Sequence, residues 1–290
     1  MGGRVVCSNH RFTTARGLGF ACTAALRLLR RAGTVVSIRA VILAAGVGRR
    51  LGAQCPKCLL RFGGQSLLQR HIAILEDCGV SHLTLVLGHG AALIEEELAQ
   101  IAANLCVATV YNPDYLQGSI ISLWAAREAL RAGEDVLLMD ADVLYDRRLL
   151  QALMRSDYGN CVLVDRSYVP GEEPVKLCVR GTRLVEFRKR IDPALDFDFS
   201  GESVGFFRLT SGMARRLATQ AQAYREQDRG HEPHEEALRD LLLESPDDVG
   251  IADITGLPWI EIDFPEDVGR AESQVLPRLS VLPASNRARS

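Results

Sequence analysis

The chain has 290 residues, 47% of them hydrophobic and 24% charged, with a formal net charge of −2. This composition suits a soluble globular protein built around one large domain. No apolar run is long enough to span a bilayer, and no global positive field favours nucleic acid.

The charge is unevenly placed. Residues 1–75 hold no Asp or Glu, so all 36 acidic residues follow them. A basic first segment facing acidic strand ends suits a metal–polyphosphate ligand. Residues 1–37 are Arg-rich and weakly patterned. They are read as a disordered basic extension, a composition shared by transit peptides and by translated upstream sequence. The eight cysteines carry no secretory context, and Cys106, Cys161 and Cys178 lie in apolar runs. A reduced, cytoplasmic protein is expected.

From residue 38 the chain alternates strands and helices. "IRAVILAAG" reads as a buried strand. "SLLQRHIAILEDCG" reads as a helix with Leu68, Ile72 and Leu75 on one face and Gly79 at its stop. Then come strand "HLTLVLG", helix "AALIEEELAQIAA", strand "CVATVYN", helix "SIISLWAAREALRAG" and strand "DVLLMDAD". This β-α-β period predicts a largely parallel, helix-covered sheet. After about Asn160, "NCVLVDR", "PVKLCVR", "RLVEFRK" and "SVGFFRLT" predict more antiparallel pairing, with a tight turn at Gly181-Thr182. Two helices, the strand "LPWIEID" and the helix "FPEDVGRAESQV" complete the domain, which is placed at 38–276. Residues 277–290 read as a tail.

The stretch "LAAGVGRRLGAQCPKCLL" carries the densest chemistry. A dinucleotide loop needs Gly-x-Gly-x-x-Gly. Here Gly46 and Gly48 are followed by Leu51 at the third position, and the second strand lacks an acid for the ribose. A Walker A loop fails because no Gly-Lys-Ser/Thr occurs. Cys55 and Cys58 form a C-x-x-C, but structural zinc wants four ligands and no second pair follows. A strand running into a Gly-rich turn does expose backbone N–H groups to an anion. Arg50 and Lys57 add fixed positive charge for a triphosphate.

The string Leu-Ala-Ala-Gly-x-Gly-x-Arg-Leu followed by Pro-Lys resembles the signature of nucleotidyltransferases that activate sugar phosphates, phosphocholine and related small phosphates, including the MobA-like NTP transferase domains. The resemblance covers about Ile38 to Leu276. It implies an α/β fold: a Rossmann-like three-layer sandwich with a mixed, mainly parallel sheet, of the GT-A-like kind. It implies nucleotide binding by Ala44, Ala45, Gly46, Gly48, Arg50 and Lys57. Gln117, Gly118 and Ser119 would read a pyrimidine edge, and Gly88 would give the base room. The resemblance also implies that Asp142 binds Mg²⁺ together with Asp263, with Asp140 as a helper beside the nucleotide. Two carboxylates plus phosphate oxygens and waters suit that ion. Glu261 shares a strand face with Asp263, while Asp263 also suits the cap of the helix at Pro265.

Lysines are scarce: Lys57, Lys176 and Lys189 are the only three among 34 basic residues. Where Arg replaces Lys so widely, a remaining ammonium marks a place for a compact point charge. The resemblance gives Lys57 to the triphosphate and Lys176 or Lys189 to the acceptor's phosphate, with Arg50, Lys57 and Lys189 as the catalytic cations. Glu202 and Glu173 would bind an amine or hydroxyls, and Gly205 lies in the acceptor half. Aromatics for a choline cage are available in Trp124, Tyr115, Phe206 and Trp259.

The implied reaction is attack by an acceptor phosphate or phosphonate on the α-phosphorus of CTP, with pyrophosphate leaving in line. Phosphocholine, aminoethylphosphonate and inositol phosphate are the acceptor types. Alternatives are a transferase acting on a sugar 1-phosphate or molybdopterin with another NTP, and a nucleotide sensor without catalysis. Partners are the nucleotide and a small phosphorylated substrate, with a homodimer left open.

Overall fold

The computed structural model describes residues 37–52, 55–168 and 174–282, plus three dipeptides nearer the N-terminus. Of those, Val5–Val6 pairs with Val107 and Ala108, and Arg30–Arg31 pairs with Thr34–Val35. The rest of the expected N-terminal extension, Glu173 and residues 283–290 lie outside the described residues.

The first half runs β1 (Ile38–Ala44), α1 (Leu67–Asp77), β2 (His82–Leu87), α2 (Ala91–Gln100), β3 (Cys106–Tyr111), α3 (Ser119–Ala125), α4 (Arg127–Leu130) and β4 (Asp135–Asp140). The second runs β5 (Val143–Tyr145), α5 (Arg147–Arg155), β6 (Asn160–Asp165), β7 (Lys176–Arg180), β8 (Arg183–Arg188) and β9 (Phe199–Leu209). It closes with α6 (Ser211–Glu226), α7 (His234–Glu244), β10 (Val249–Asp253), β11 (Trp259–Glu261) and α8 (Pro265–Arg270).

The main sheet has the order β3-β2-β1-β4-β9-β6-β10. β1 sits between β2 and β4 in parallel register. Its run of Ala40, Val41 and Ile42 is fully buried because helices cover both sheet faces. Leu68, Ile72 and Leu75 of α1 and Leu149 and Leu153 of α5 pack on one face. Residues of α3, α4, α6 and α7, among them Leu123, Leu217 and Leu238, pack on the other. Ser66 starts α1 with a capping box shared with Gln69. The three layers and mainly parallel sheet match the expected fold.

β9 is the antiparallel exception, running against β4 and β6. Along one edge it pairs first with β7, over Phe199–Glu202, and then with β4, over Phe206–Leu209. Gly205, at φ 77°, lies at the junction and supplies the bend. β9 begins earlier than the run "SVGFFRLT" suggested. β10 was not anticipated; it lies parallel to β6. The strand expected in "LPWIEID" does form, as β11, but it leaves the main sheet and pairs with β5 in a two-stranded ribbon.

Asp146 caps the start of α5 and accepts from Arg148 N. Its other oxygen accepts from Ser280 N at 2.6 Å, tying the C-terminal segment to the domain. Burial opposes its charge, but the Arg148 and Ser280 hydrogen bonds outweigh it and hold its carboxyl down at about 2. A depressed folded pKa gives stability that is complete above the unfolded value, near 4, and is lost as pH falls toward 2. Asp146→Asn is therefore expected to flatten the acid limb of thermal stability between pH 4 and 2, measured by melting curves. An unchanged limb refutes the assignment.

Candidate active site

β1 ends at Ala44, and the chain turns through Gly48 at φ 63° into a short 3₁₀ turn, Arg49–Leu51. A second such turn, Lys57–Leu59, folds back against the loop, anchored by buried Cys58. The stem of Lys57 then lies over Gly48, where a Cβ would come within 3.1 Å of Lys57 Cγ. A side chain at 48 would thus meet both strain and the lysine. The C-x-x-C serves this packing: Cys55 and Cys58 are free thiols. Among the described residues, the group able to hold a metal contains carboxylates alone.

Lys57 Nζ bridges two of those carboxylates, at 2.7 Å from Asp142 Oδ2 and 2.6 Å from Asp263 Oδ1. Arg50 Nη1 stands 3.9 Å from Asp263 Oδ2, and its guanidinium lies over Phe264. The β5–β11 ribbon brings the acids together. Val143 is opposite Glu261, and Ile262 N donates to Asp142 O at 2.9 Å. Carboxylate oxygens of Asp142, Glu261 and Asp263 lie within 4.8 Å of one another. Glu261 has an exposed outer surface, but its carboxyl points into this crowd. Desolvation, then Asp142, Asp263 and Asp140, push it well above the ordinary range. Burial opposes the Lys57 charge, but Asp142 and Asp263 outweigh it and raise its pKa. The capping role considered for Asp263 falls to Asp267, whose Oδ2 accepts from the backbone of Asp263 and Phe264.

A cleft of about 340 Å³ opens from this cluster. Ala44, Ala45, Gly46, Gly48 and Lys57 line it together with Tyr115, Gly118, Ser119 and Ser122. Asp140 also lines it, under the charges of Lys57 and Asp142 and 3.7 Å from His234, which is bonded to Ser119. Desolvation, Glu235 and Asp142 raise its carboxyl strongly. Two expectations are corrected. Gln117 is exposed and does not line the cleft, because the turn before α3 points it to solvent. Gly88 is buried, and its missing side chain makes room for Tyr115: a Cβ there would come 2.7 Å from Tyr115 Cβ. Gly118 is needed for a different neighbour, since a Cβ would come 2.4 Å from Gly230 O. The 228–235 connection therefore docks on the Gly118–Ser119 turn. It places His234 and Glu235 in the cleft wall, a contribution the sequence reading missed. Its only sequence signal was the acid- and His-rich start of α7, "HEPHEE".

A second space adjoins the first, lined by Arg50, Arg188, Lys189, Arg190, Glu235 and Glu236, with Val175 and Pro233. Lys189 and Glu235 border both spaces. Lys176 and Glu202 line neither. Lys176 Nζ donates to the Lys189 carbonyl at 2.6 Å and to Pro174 O at 3.2 Å, so it braces the segment carrying Lys189. Glu202 faces Asp165 and Lys176 across the strands. Burial and Asp165 push its carboxyl up to about 7. Gly205 also stays outside the acceptor space and abuts Asp140 instead. No aromatic cage forms from the four candidates. Phe206 is core, Trp124 stacks on Arg127 and Arg225, and Trp259 donates to Asp165. Tyr115 alone of them reaches the cleft.

A doubly covered mixed sheet with a Gly-rich loop, a lysine and clustered acids at its strand ends defines a domain built for a polyphosphate. The chain matches the MobA-like NTP transferase domain over residues 40–203 and belongs to that family. It is 31% identical over 246 residues to a bifunctional IPC transferase and DIPP synthase of Rubrobacter xylanophilus, covering 82% of this chain and 52% of the relative. It is 29% identical over 251 residues to a CMP-5'-(3-aminopropyl)phosphonate synthase of Streptomyces rubellomurinus, covering 83% and 39%. The chain thus spans about half the length of these relatives, or less. The inositol-1-phosphate CTP transferase from T. maritima shares the fold, with a TM-score of 0.65 at 22% identity, covering 85% of this chain and 99% of that one. A CTP:phosphocholine cytidylyltransferase from Streptococcus pneumoniae does so with a TM-score of 0.61 at 16% identity, covering 82% and 98%. No helix among the described residues is long and apolar enough to cross a membrane.

Lys57→Met removes the cation that separates Asp142 from Asp263. Leaving such partly buried charges unpaired costs on the order of 1–3 kcal/mol. The variant is expected to melt several degrees lower than the wild type in chelator. Equal midpoints in chelator refute the counter-ion role.

Proposed function

We propose that this protein transfers CMP from CTP to a small phosphorylated alcohol or phosphonate and releases pyrophosphate. The observation that carries this reading is the meeting of two polar spaces at Lys189, beside the Lys57–Asp142–Asp263 cluster. One space fits a nucleotide and the other an anionic acceptor. The similarity to a CMP-phosphonate synthase and the shared fold with two CTP-using transferases support the choice of CTP. The six described cysteines are free, which supports a reduced, cytoplasmic setting.

Asp142, Glu261 and Asp263 would hold a divalent cation. They offer hard oxygen donors alone, and their mutual repulsion favours such an ion, so the set fits Mg²⁺. Bound there, Mg²⁺ supplies charge neutralisation and a fixed position for the phosphates. Lys57, relieved of its bridging place, turns its ammonium to the triphosphate. Backbone N–H groups around Gly46 and Gly48 hold the phosphates from the other side. Lys189, at the boundary, binds the acceptor's phosphate or phosphonate group close to the α-phosphate. The acceptor oxygen is already anionic and needs no general base. It forms a bond to the α-phosphorus while the bridge to the β-phosphate breaks. Arg50 and Lys57 stabilise the pyrophosphate that leaves. The chain's contribution is positioning and charge.

The acceptor space narrows the substrate. Its described lining has four cationic residues and two glutamates, with no aromatic ring. A quaternary ammonium finds no cage there, whereas hydroxyls or a primary amine find carboxylates. Phosphorylated polyols and aminoalkylphosphonates are therefore expected to be turned over faster than phosphocholine. Pyrophosphate release from each NTP against a panel of these acceptors measures this. Phosphocholine as the best acceptor overturns that part of the reading, and no release with any pair overturns the whole.

Asp142→Ala is expected to lose turnover by on the order of 10²–10³-fold while keeping its fold, by analogy with removing one preorganised charge-stabilising group. Near-normal turnover sinks the assignment.

A further inference from the structure

Asp140 lines the cleft, and both of its oxygens have defined surroundings. Oδ2 lies against Gly205, where an added Cβ would come within 2.1 Å. Oδ1 faces His234 Nε2 at 3.7 Å. That gap is about 0.5–1 Å longer than a hydrogen bond. His234 is 4% exposed, and its Nε2 is a buried atom with no hydrogen-bond partner. Native structures rarely leave such an atom without a purpose.

The ring is held from behind. His234 N donates to Ser119 Oγ at 2.8 Å, and Nδ1 lies 3.3 Å from the same oxygen. Glu235 Oε2 is 3.1 Å from Nδ1. Nδ1 is occupied by Ser119 Oγ and the Glu235 carboxylate, which leaves Nε2 as the ring atom aimed at Asp140, where its N–H can donate. The residue is anchored through its backbone N–H and Nδ1, and 3.7 Å separates Nε2 from Asp140 Oδ1.

The place of Asp140 along the cleft gives this pair its meaning. The glycine loop with Lys57 and the Gly118–Ser119 turn with Tyr115 line the same cleft, and Asp140 lies between them: Lys57 and Asp142 act on its charge, and His234, held on Ser119, stands 3.7 Å away. A nucleotide laid from phosphates to base puts its sugar over Asp140.

We propose that His234 is a positioning residue for the nucleotide sugar: Nε2 donates to Asp140 Oδ1 when the cleft is filled, fixing the carboxylate to accept from the ribose hydroxyls. This rests on the nucleotide reading above. His234 acts through Asp140, so removing either residue removes the same interaction. A ligand lacking one hydroxyl gains less from it.

The test compares CTP and 2'-deoxy-CTP on wild type, His234→Leu, His234→Gln, Asp140→Asn and the Leu/Asn double variant, by calorimetry and steady-state kinetics. His234→Leu is expected to weaken CTP about tenfold, the scale of one hydrogen-bond-sized loss, with KM rising and kcat changing little. Its effect on 2'-deoxy-CTP should be clearly smaller. His234→Gln should recover most of the affinity, and the double variant should bind no more weakly than Asp140→Asn alone. Penalties that multiply in the double variant, or equal losses for both nucleotides, overturn the inference. Should His234→Leu fail to fold, nitrogen-15 spectra of the wild-type ring decide: the His234 Nε2 resonance shifts on CTP saturation if the bond forms, and an unmoved resonance overturns it. A wild type that binds no nucleoside triphosphate overturns the nucleotide reading and this inference together. A wild type that binds CTP while His234→Leu binds it equally overturns this inference alone.

Discussion

Three carboxylates within 4.8 Å of one another need positive charge among them. Asp142, Glu261 and Asp263 come from two segments far apart in sequence, and the β5–β11 ribbon presses them together. Lys57 supplies the charge. It reaches that place because Cys58 is buried beneath its turn and Gly48 leaves its stem a path. Loop, lysine and acids therefore form one electrostatic unit, and the cleft takes its shape from it.

Around that unit, supporting contacts fix the segments that line the two spaces. Lys176 spends its ammonium on the carbonyl that precedes Arg190, and so fixes Lys189 at the boundary of the two spaces. Gly118 accepts the close approach of the 228–235 connection, which brings His234 and Glu235 into the wall. Both are cases of a backbone or a charge serving another residue's placement.

The first half of the fold was largely legible in the sequence. Its strands are short and apolar, most of them buried, and its loop motif is contiguous, so the loop after β1 and its lysine read as one element. Asp142 and Asp263 were singled out because each follows a strand, and strand ends collect ligands in such sheets; the structure brings both to Lys57. What escaped the reading depends on contacts between distant segments. Whether Gln117 faces the cleft is set by how the turn before α3 packs, and local sequence cannot show that. Lys176 looked like a second phosphate ligand because scarcity marks a lysine as needed without saying for what. Glu202 sits on β9 between β6 and β7, and its neighbours Asp165 and Lys176 are set by that distant pairing. His234 begins an ordinary amphipathic helix, and only the docking of the α6–α7 connection turns it inward. β10, five residues long and only partly apolar, lacked the run that betrays a buried strand.

β9 has a mechanical consequence. One unbroken strand of eleven residues pairs with β4, which carries Asp140, and with β7, which carries Lys176. The strand that carries Asp140 and the strand that braces Lys189 are thus laced to a single backbone, with β6 clamping its other edge. Hinge-like closing of one half over the other would tear that ladder. Rearrangement falls instead to side-chain rotations and to the short loops at the strand ends, so the domain is a rigid bench with moving fingers.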